Sequence, residues 1–529
     1  MKSWTPPALL AAAIVTVCGA SQAQTLRWAS QGDPQTMDPH SQNEGLTNAM
    51  NGQVYEFLVA RDKQLNLVPQ LAIEWKQTSP LQWRMKLRPN VKFHDGTPFT
   101  ADDVVFSVKR AQQPTSQIAA YANAVGEPKK IDDLTVEFNL AQVNPIFLQH
   151  INTVNIMSKA WCEQHKVTRP LDFKNKEESF AAYNANGTGP YMLVKREPDV
   201  KTTYRRNPNW WGKPEGNVQE IVYLPIANDA TRLAALLSGE IDFVLDPAPR
   251  DIARLRNTAG VKIVEGPENR IVFIGTDQQR DELLHGSVKD RNPFKDVRVR
   301  RALYRAIDIE TMKTKLMNGL SVPTGGMTPS PLGDFNDPAL EQREPFDLPL
   351  ARRLLAEAGY ADGFEVTLDC PNNRYVNDEE ICIALAGMWA QLKVKVRVNA
   401  MPRATYFPKL EKADTSLYML GWGGAVTDAE TTLTPVMRNP GAKGEGLYNY
   451  GRSRNDKFDA LAAASSVEAD PAKREQLIKA ALAEWKEQVH TIPLHRQVIP
   501  WAARRNVDVV HRADNWLEVG WVTLGAAGK

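Results

Sequence analysis

Patterns of strands and helices alternate along almost the whole of this 529-residue chain, and they constrain its fold more than any single motif does. A strand pattern at residues 366–368, a helix pattern at 379–392 and a second strand pattern at 394–398 form one βαβ unit. Such units predict an α/β fold. Because about 500 residues exceed what one hydrophobic core usually serves, we expect two α/β lobes.

The alternation falls into two stretches, which set the expected lobe boundaries. Residues 24–265 are predicted to form lobe I, and residues 266–495 are predicted to form lobe II. The remaining segment, 496–529, returns to strand character, so we expect more than one crossing between the lobes. Within lobe I, helical periodicity predicts a helix over residues 48–60, and Thr100 is predicted to cap the helix that follows it.

The first 23 residues have the features of a secretory signal peptide. Lys2 supplies a positive charge, an apolar stretch covers residues 8–17, and Ala23 places a small residue where signal peptidase cleaves. The apolar stretch is shorter than the roughly 20 residues of a membrane-spanning helix. We therefore expect cleavage before Gln24 and a periplasmic protein. An uncleaved anchor and lipid attachment at Cys18 are the alternatives.

Charge and hydropathy argue against a nucleic-acid-binding protein and against a membrane protein. Without Lys2, the expected mature chain has 63 basic and 62 acidic residues. Such a balance argues against a nucleic-acid partner or a membrane-surface role, which favour a basic face. Beyond the N-terminal stretch, the sequence has no run of about 18 apolar residues, the length that a membrane span needs, so we expect a soluble mature protein.

Sequence motifs for catalysis and for cofactors are missing. The chain has no G-x-S-x-G elbow, no H-E-x-x-H pair and no phosphate-binding loop of the G-x-x-x-x-G-K-[ST] type. We therefore predict no enzyme activity, no cofactor and no metal site. Among the histidines, only His495 is kept as a candidate metal ligand. Cys370 and Cys382 are either a disulfide or free thiols, and both alternatives stay open.

Several motifs together resemble one protein family over nearly the whole mature chain. They are, in chain order, LRPNVKFHDGTPFTADDV at 87–104, GTGPY at 187–191, RNPNWW at 206–211, SGEID at 238–242 and NPFKDVRVRRAL at 292–303. The family is solute-binding family 5, the extracytoplasmic solute-binding proteins of dipeptide-, oligopeptide- and nickel-type ABC importers. Most of these motifs, including Trp210 and Trp211, are interpreted as scaffold that fixes turns and packing.

The resemblance implies a clamshell of the periplasmic-binding-protein type II, with its ligand in the cleft between the lobes. It implies an inserted subdomain in lobe I, at about residues 55–185, and a C-terminal segment, 496–529, that returns to lobe I. The hinge strands are then expected near 266–275 and 490–502. Closure around the solute is a hinge motion, and the closed form is expected to dock on an inner-membrane ABC permease as a monomer.

The loop Gly421-Trp422-Gly423-Gly424-Ala425 resembles a ligand-binding loop of the family. The resemblance implies that Trp422 and Gly423 line the pocket, and that dipeptide binders carry an acidic residue three positions after the tryptophan to pair with the ligand's α-ammonium. Here that position is Ala425. Either Asp428 takes the amine, or the protein does not bind a free peptide amino terminus, which is the interpretation we prefer because an unpaired buried charge is costly.

Three more residues complete the predicted ligand site. Arg374 and Asn372 follow a lobe II strand, at the edge where an open α/β lobe presents its ligand-binding groups. Arg374 offers a bidentate fork for a carboxylate. By resemblance, Asn43 of lobe I faces the cleft from the opposite side.

The sequence therefore predicts a periplasmic solute-binding component of a peptide-type ABC importer that captures a peptide or a peptide-sized organic solute. Two alternatives come from other classes. One is an exported hydrolase or a chaperone-like peptide binder on the same fold, and the other is a chemosensory co-receptor that uses the same cleft.

Overall fold

A computed structural model describes residues 24–328, 337–423, 428–442 and 444–525. The predicted signal peptide lies outside these described residues, as do Gly424 and Ala425. Within the described ranges, no helix is both long enough and apolar enough to cross a membrane.

Strands occur along the whole described chain. They are β1 (Thr25–Ser30), β2 (Val59–Arg61), β3 (Leu67–Pro69), β4 (Ala72–Ser79), β5 (Gln82–Leu87), β6 (Glu127–Asp132), β7 (Thr135–Asn139), β8 (Tyr191–Glu197), β9 (Lys201–Arg206), β10 (Glu220–Pro225), β11 (Phe243–Val244), β12 (Val261–Thr276), β13 (Ser321–Pro323), β14 (Glu365–Pro371), β15 (Lys395–Met401), β16 (Leu417–Gly423), β17 (Thr491–Arg504), β18 (Val507–Asp508) and β19 (Thr523–Leu524).

Helices are interspersed with these strands. They are α1 (Gly45–Asn51), α2 (Ala101–Ala111), α3 (Ala119–Ala124), α4 (Phe147–Ile151), α5 (Lys159–Gln164), α6 (Asp229–Ser238), α7 (Ile252–Arg256), α8 (Val297–Arg305), α9 (Ile309–Thr311), α10 (Pro338–Glu341), α11 (Leu348–Glu357), α12 (Asp378–Ala390), α13 (Arg403–Glu411), α14 (Glu430–Thr432), α15 (Asp456–Ser465) and α16 (Pro471–Glu487).

One continuous mixed sheet links the two lobes. Its order is β15-β14-β16-β12-β17-β11-β1-β10-β9-β8, and β13 pairs with β17. Strands β14 to β16 of lobe II lie on one side of the β12–β17 pair, and the lobe I strands lie on the other. The pairs β1–β10 and β14–β15 are parallel, as expected of α/β lobes.

Strands β12 and β17 pass from one lobe to the other as an antiparallel pair. Residues 261–267 of β12 pair with residues 498–504 beside lobe I, and residues 271–275 pair with residues 491–496 beside lobe II. The register shifts between Pro267 and Ile271, and such irregularities bend a strand. The break lies inside the predicted hinge segments, although the hinge motion itself stays a prediction.

A separate antiparallel sheet, β4-β5-β7-β6, lies inside the predicted insertion at residues 55–185. Helix α2 packs against it. The predicted cap of this helix is confirmed: Thr100 Oγ1 accepts from Asp102 N, and the Asp103 carboxylate accepts from Thr100 N at 2.9 Å. The ends of the insertion, like the lobe boundaries, stay predictions.

The predicted helix over residues 48–60 is wrong in its bounds. Helix α1 begins at Gly45 because Glu44 caps it by accepting from Leu46 N and Thr47 N. The chain beyond Gly52 is held by lobe I instead, since the Val54 carbonyl accepts from Gly189 N at 2.8 Å. Tertiary contacts thus override the helical periodicity after Asn51.

Two family motifs converge on one buried carboxylate, that of Glu56. It accepts hydrogen bonds from Nε1 of Trp210 at 3.2 Å, from Nε1 of Trp211 at 2.9 Å and from Thr188 Oγ1 at 2.7 Å. Burial raises the pKa of Glu56 to about 7 despite these donors. The tryptophan motif therefore acts as scaffold, the role predicted for it.

Cys370 and Cys382 form a disulfide, which decides between the two alternatives that the sequence left open. Cys370 lies in β14 and Cys382 lies in α12, so the bond brackets the loop that carries Arg374. Cys162 is a buried free thiol. Disulfides persist in oxidising compartments, so this bond agrees with export.

We predict that replacing both Cys370 and Cys382 by Ser lowers the free energy of unfolding by about 3 kcal/mol, because the bond closes a short loop in the unfolded chain. Urea unfolding followed by tryptophan fluorescence measures the change. A reducing agent should destabilise the unmodified protein by a similar amount and leave the double variant unaffected. An equal response of both proteins to the reductant would contradict a stabilising bond.

Candidate ligand-binding site between the lobes

A large cavity opens between the two lobes. It contains about 1590 Å³ of space free of protein atoms, counting the part that is open to solvent. Three parts of the chain line it: Asn43 and Tyr121 belong to lobe I, Trp422 and Tyr448 to lobe II, and Trp516 to the C-terminal segment. A concave site with mixed apolar and polar walls is typical of a ligand-binding pocket.

Aromatic rings form one wall of this cavity. The ring centroids of Trp422 and Tyr448 lie 4.6 Å apart, and those of Tyr448 and Tyr450 lie 6.1 Å apart. Trp422 Nε1 donates to the Thr431 carbonyl at 3.1 Å, and the Tyr448 hydroxyl donates to the Gln117 carbonyl at 2.6 Å. Because the protein itself satisfies these polar groups, the rings are held as a rigid apolar wall.

A buried ion pair joins the lobes beside the cavity. Arg403 Nη1 of lobe II donates to Glu44 Oε1 of lobe I at 2.8 Å, and Arg374 Nε lies 2.9 Å from the same oxygen. Burial alone would raise the pKa of Glu44, but the charges of Arg403 and Arg374, with hydrogen bonds from Thr47, hold it at about 2. The carboxylate is therefore ionised and binds the two lobes together.

A second ion pair anchors the loop that carries Asn43 and Glu44. Arg110 of α2 donates to Asp38 through two nitrogens, at 2.8 and 2.6 Å, and both side chains are completely buried. Burial acts to raise the pKa of Asp38, but Arg110 outweighs it and lowers the pKa. The loop is thus fixed to the subdomain with good geometry.

The structure brings some of the predicted site residues together at the cavity. Trp422, Gly423, Arg374 and Asn43 all line it. Asn43 Oδ1 accepts from Asn48 Nδ2 at 2.9 Å, and Arg374 is already paired with Glu44. Their contacts with a ligand stay predictions.

The other two predicted residues lie outside the described lining of the cavity. Asp428 accepts hydrogen bonds from Arg474 Nη1 at 2.8 Å and Nη2 at 2.7 Å, and it also accepts from Glu430 N at 2.9 Å. Asn372 donates its backbone N–H to the Met401 carbonyl. Asp428 therefore has a structural role in this conformation, and its role as a ligand group is untested.

The hinge break supplies lining residues that sequence reasoning missed. Arg270 Nε donates to Glu268 Oε1 at 2.7 Å, and Gln497 Nε2 donates to Glu268 Oε2 at 2.6 Å. A Cβ at Gly423 would lie 1.9 Å from the Asn269 carbonyl oxygen, so only glycine lets β16 approach the break this closely. No motif in the sequence marks Arg270 as a cavity residue.

Two more lining charges were missed, and neither has an ion-pair partner within the described part of the chain. Arg61 is 8% exposed, and its Nη2 makes no hydrogen bond there. Glu411 is partly buried, and its Oε2 is fully buried without a hydrogen-bond donor. An acidic residue in the last turn of a helix opposes the helix dipole, which was the one sequence signal available for Glu411.

The described residues hold no group of three or more side chains suited to a metal ion. His495 is buried on β17, where burial lowers its pKa to about 4, and it is not part of the described cavity lining. The structure thus gives no support to His495 as a metal ligand.

Solved structures place this architecture in a known class. The periplasmic binding protein DppA from Helicobacter pylori, solved with the peptide STSA, matches with a TM-score of 0.84 at 20% identity, over 94% of this chain and 98% of that one. The two lobes, the crossing strands and the cavity between them define an α/β clamshell of the periplasmic-binding-protein type II. The predicted fold class is confirmed.

Sequence comparison then gives the family. The family model for bacterial extracellular solute-binding proteins, family 5 (middle), matches residues 66–444, and the chain belongs to this family. The dipeptide-binding protein of Escherichia coli K12 is 26% identical over 524 residues, which cover 93% of each chain. Heme-binding protein A of Haemophilus influenzae is 26% identical over 511 residues, which cover 91% of this chain and 89% of that protein.

We predict that Glu44→Gln shifts the ligand-free protein towards an open form, because Arg374 and Arg403 are then better hydrated apart than paired with a neutral amide. Losing a charged hydrogen bond changes such an equilibrium by about tenfold or more. Small-angle scattering should show a larger radius of gyration for the variant, with Glu357→Gln on the surface of lobe II as the control.

The pH dependence has a defined sign. Since the pKa of Glu44 is about 2 in the closed form and about 4.5 when it is hydrated, the closed form binds fewer protons in that window. The ion pair therefore stabilises the closed form fully above this pH window, and this stabilisation is lost as the pH falls through the window. Glu44→Gln should show no such pH dependence. Equal scattering of the unmodified protein and Glu44→Gln would show that the ion pair does not hold the lobes closed.

Proposed function

We propose that this protein is the periplasmic solute-binding component of a peptide-type ABC importer. It captures a peptide or a peptide-sized organic solute between its lobes and delivers it to an inner-membrane permease as a monomer. The supporting observation is a cavity lined by both lobes beside the irregular crossing of β12 and β17. Bending at that crossing would open and close the cavity around a solute.

The chemistry of the lining supports binding over hydrolysis. The described lining contains no histidine, serine or cysteine. A hydrolase built on a Ser–His or Cys–His pair needs such side chains. The proposal accordingly includes no enzymatic step and no cofactor.

Of the two predictions for the peptide amino terminus, the one in which the protein does not bind it gains support. Asp428 is engaged by Arg474 through two hydrogen bonds, so its carboxylate is not free to take a ligand amine in this conformation. Position 425 carries an alanine, whose side chain accepts nothing. We therefore propose that free dipeptides are not the cargo of this protein.

Thermal unfolding with added solutes tests that proposal. Free dipeptides at micromolar concentration are expected to leave the melting temperature unchanged, because a buried α-ammonium finds no acidic partner in the Trp422 loop. Stabilisation by free dipeptides at those concentrations would refute it. The periplasmic dipeptide-binding protein of E. coli serves as a positive control for the assay.

Native mass spectrometry tests the function itself. Protein purified without denaturation is expected to retain a small molecule, and Trp422→Ala should bind it more weakly by about tenfold, because the aromatic wall loses its largest ring. The substitution of an exposed aromatic residue outside the cavity, Phe346→Ala, is the control. Failure of the unmodified protein to retain or bind any solute from a complex extract would contradict a transport role.

A further inference from the structure

Glu411 lines the cavity and makes no ion pair among the described residues. It ends α13, its Oε2 is buried, and that oxygen has no hydrogen-bond donor among the described residues. A buried carboxylate without a partner is costly, so such groups are paired in most proteins. Its position in the last turn of a helix adds to the cost, since the dipole is negative there.

The charges around Glu411 do not neutralise it. Helix α13 packs against residues 173–175 of lobe I, where Lys174 lowers the pKa of Glu411 and Asp172 raises it. The opposing charges leave burial as the main influence, and it raises the pKa to about 7. Gln42 of lobe I approaches closely enough to lower the pKa, yet its Nε2 also makes no hydrogen bond in the described structure.

Aromatic rings stand beside this carboxylate. Glu411, Tyr448 and Tyr450 line the same cavity. The charge of Glu411 also contributes to the raised pKa of both tyrosines, after the larger effect of burial. Phe407 lies one turn earlier on α13 and lines the same cavity. A carboxylate next to aromatic rings, with an unfilled acceptor, is the arrangement that recognises an organic cation through charge pairing and cation–π contact.

We infer that Glu411, Tyr448 and Tyr450 form the subsite for a cationic nitrogen group on the transported solute, a guanidinium or an ammonium other than the α-ammonium of a free dipeptide. The inference rests on the proposed function, since it names the chemistry of that cargo. The carboxylate supplies the negative charge, and the aromatic wall supplies the ring faces. Gln42 of lobe I lines the same cavity as these residues of lobe II.

The test uses the full mature protein and the low-molecular-weight fraction of yeast extract as the solute pool. Unmodified protein and Glu411→Gln are incubated with the pool, and retained solutes are identified by native mass spectrometry with fragmentation. We expect the retained solutes to carry a basic nitrogen and to bind Glu411→Gln more weakly by about tenfold or more. Glu357→Gln, an exposed lobe II carboxylate, should bind like the unmodified protein.

Two measurements separate this role from a structural one. Without ligand, Glu411→Gln should be at least as stable as the unmodified protein above about pH 7, because it lacks an unpaired buried charge. The difference should shrink as the pH falls from about 7 and be smallest below about pH 4.5, where Glu411 is protonated in both the folded and the unfolded state. Solute binding by the unmodified protein should weaken from about pH 8 to about pH 6, and that of Glu411→Gln should weaken less over the same range. Other carboxyls with raised pKa values, such as Glu518, titrate in both proteins and cancel in the comparison.

The outcomes distinguish the two levels of the proposal. Retained solutes without a basic nitrogen, or equal binding by Glu411→Gln, would overturn the cation subsite and leave the transport function intact. If Lys174→Gln weakens binding as much as Glu411→Gln does, Lys174 pairs with Glu411 on closure, and the cation subsite is overturned as well. If the unmodified protein retains nothing from the pool, the transport function itself fails.

Discussion

The antiparallel pairing of β12 and β17 is the constraint on which the rest of the molecule depends. These strands belong to both lobes, so one hydrogen-bonded sheet links them, and the pairing is irregular where the strands pass from one lobe to the other. That irregularity lies at Glu268 to Arg270, and Glu268 is bonded there by Arg270 and Gln497. The cavity between the lobes lies beside this break, since Arg270 lines it, and β16 contributes Gly421 and Gly423 to its wall.

Charged groups around the cavity divide into those that hold the protein together and those that do not. Glu44 with Arg374 and Arg403, Asp38 with Arg110, and Asp428 with Arg474 are buried ion pairs. Removing one member of such a pair leaves an uncompensated charge, so each pair fixes the elements that carry it. Glu411 lies outside these pairs, and its buried Oε2 has no hydrogen-bond donor among the described residues, so we propose that a solute supplies its counter-charge.

The fold was largely predictable from the sequence, because local rules and packing agree along most of the chain. The cap at Thr100 and the βαβ unit around residues 366–398 depend on neighbouring residues, and the structure confirms them. The helix expected over residues 48–60 was not predictable in its bounds, since contact with Gly189 far along the chain holds the segment after Gly52. The sequence also left open whether Cys370 and Cys382 are bonded, because only the packing of α12 on β14 brings the two residues together.

The candidate site was less predictable than the fold, for a physical reason. The family motifs contain residues that form hydrogen bonds with one another, such as the two tryptophans that donate to Glu56. These residues stabilise the fold and say nothing about the ligand. Residues that face the cavity come from distant segments, for example Arg61, Glu411 and Trp516, and no local pattern links them. An unsatisfied charge that lines the cavity is therefore a better guide to the cargo than a motif is, because a buried group without a partner needs an explanation beyond the fold.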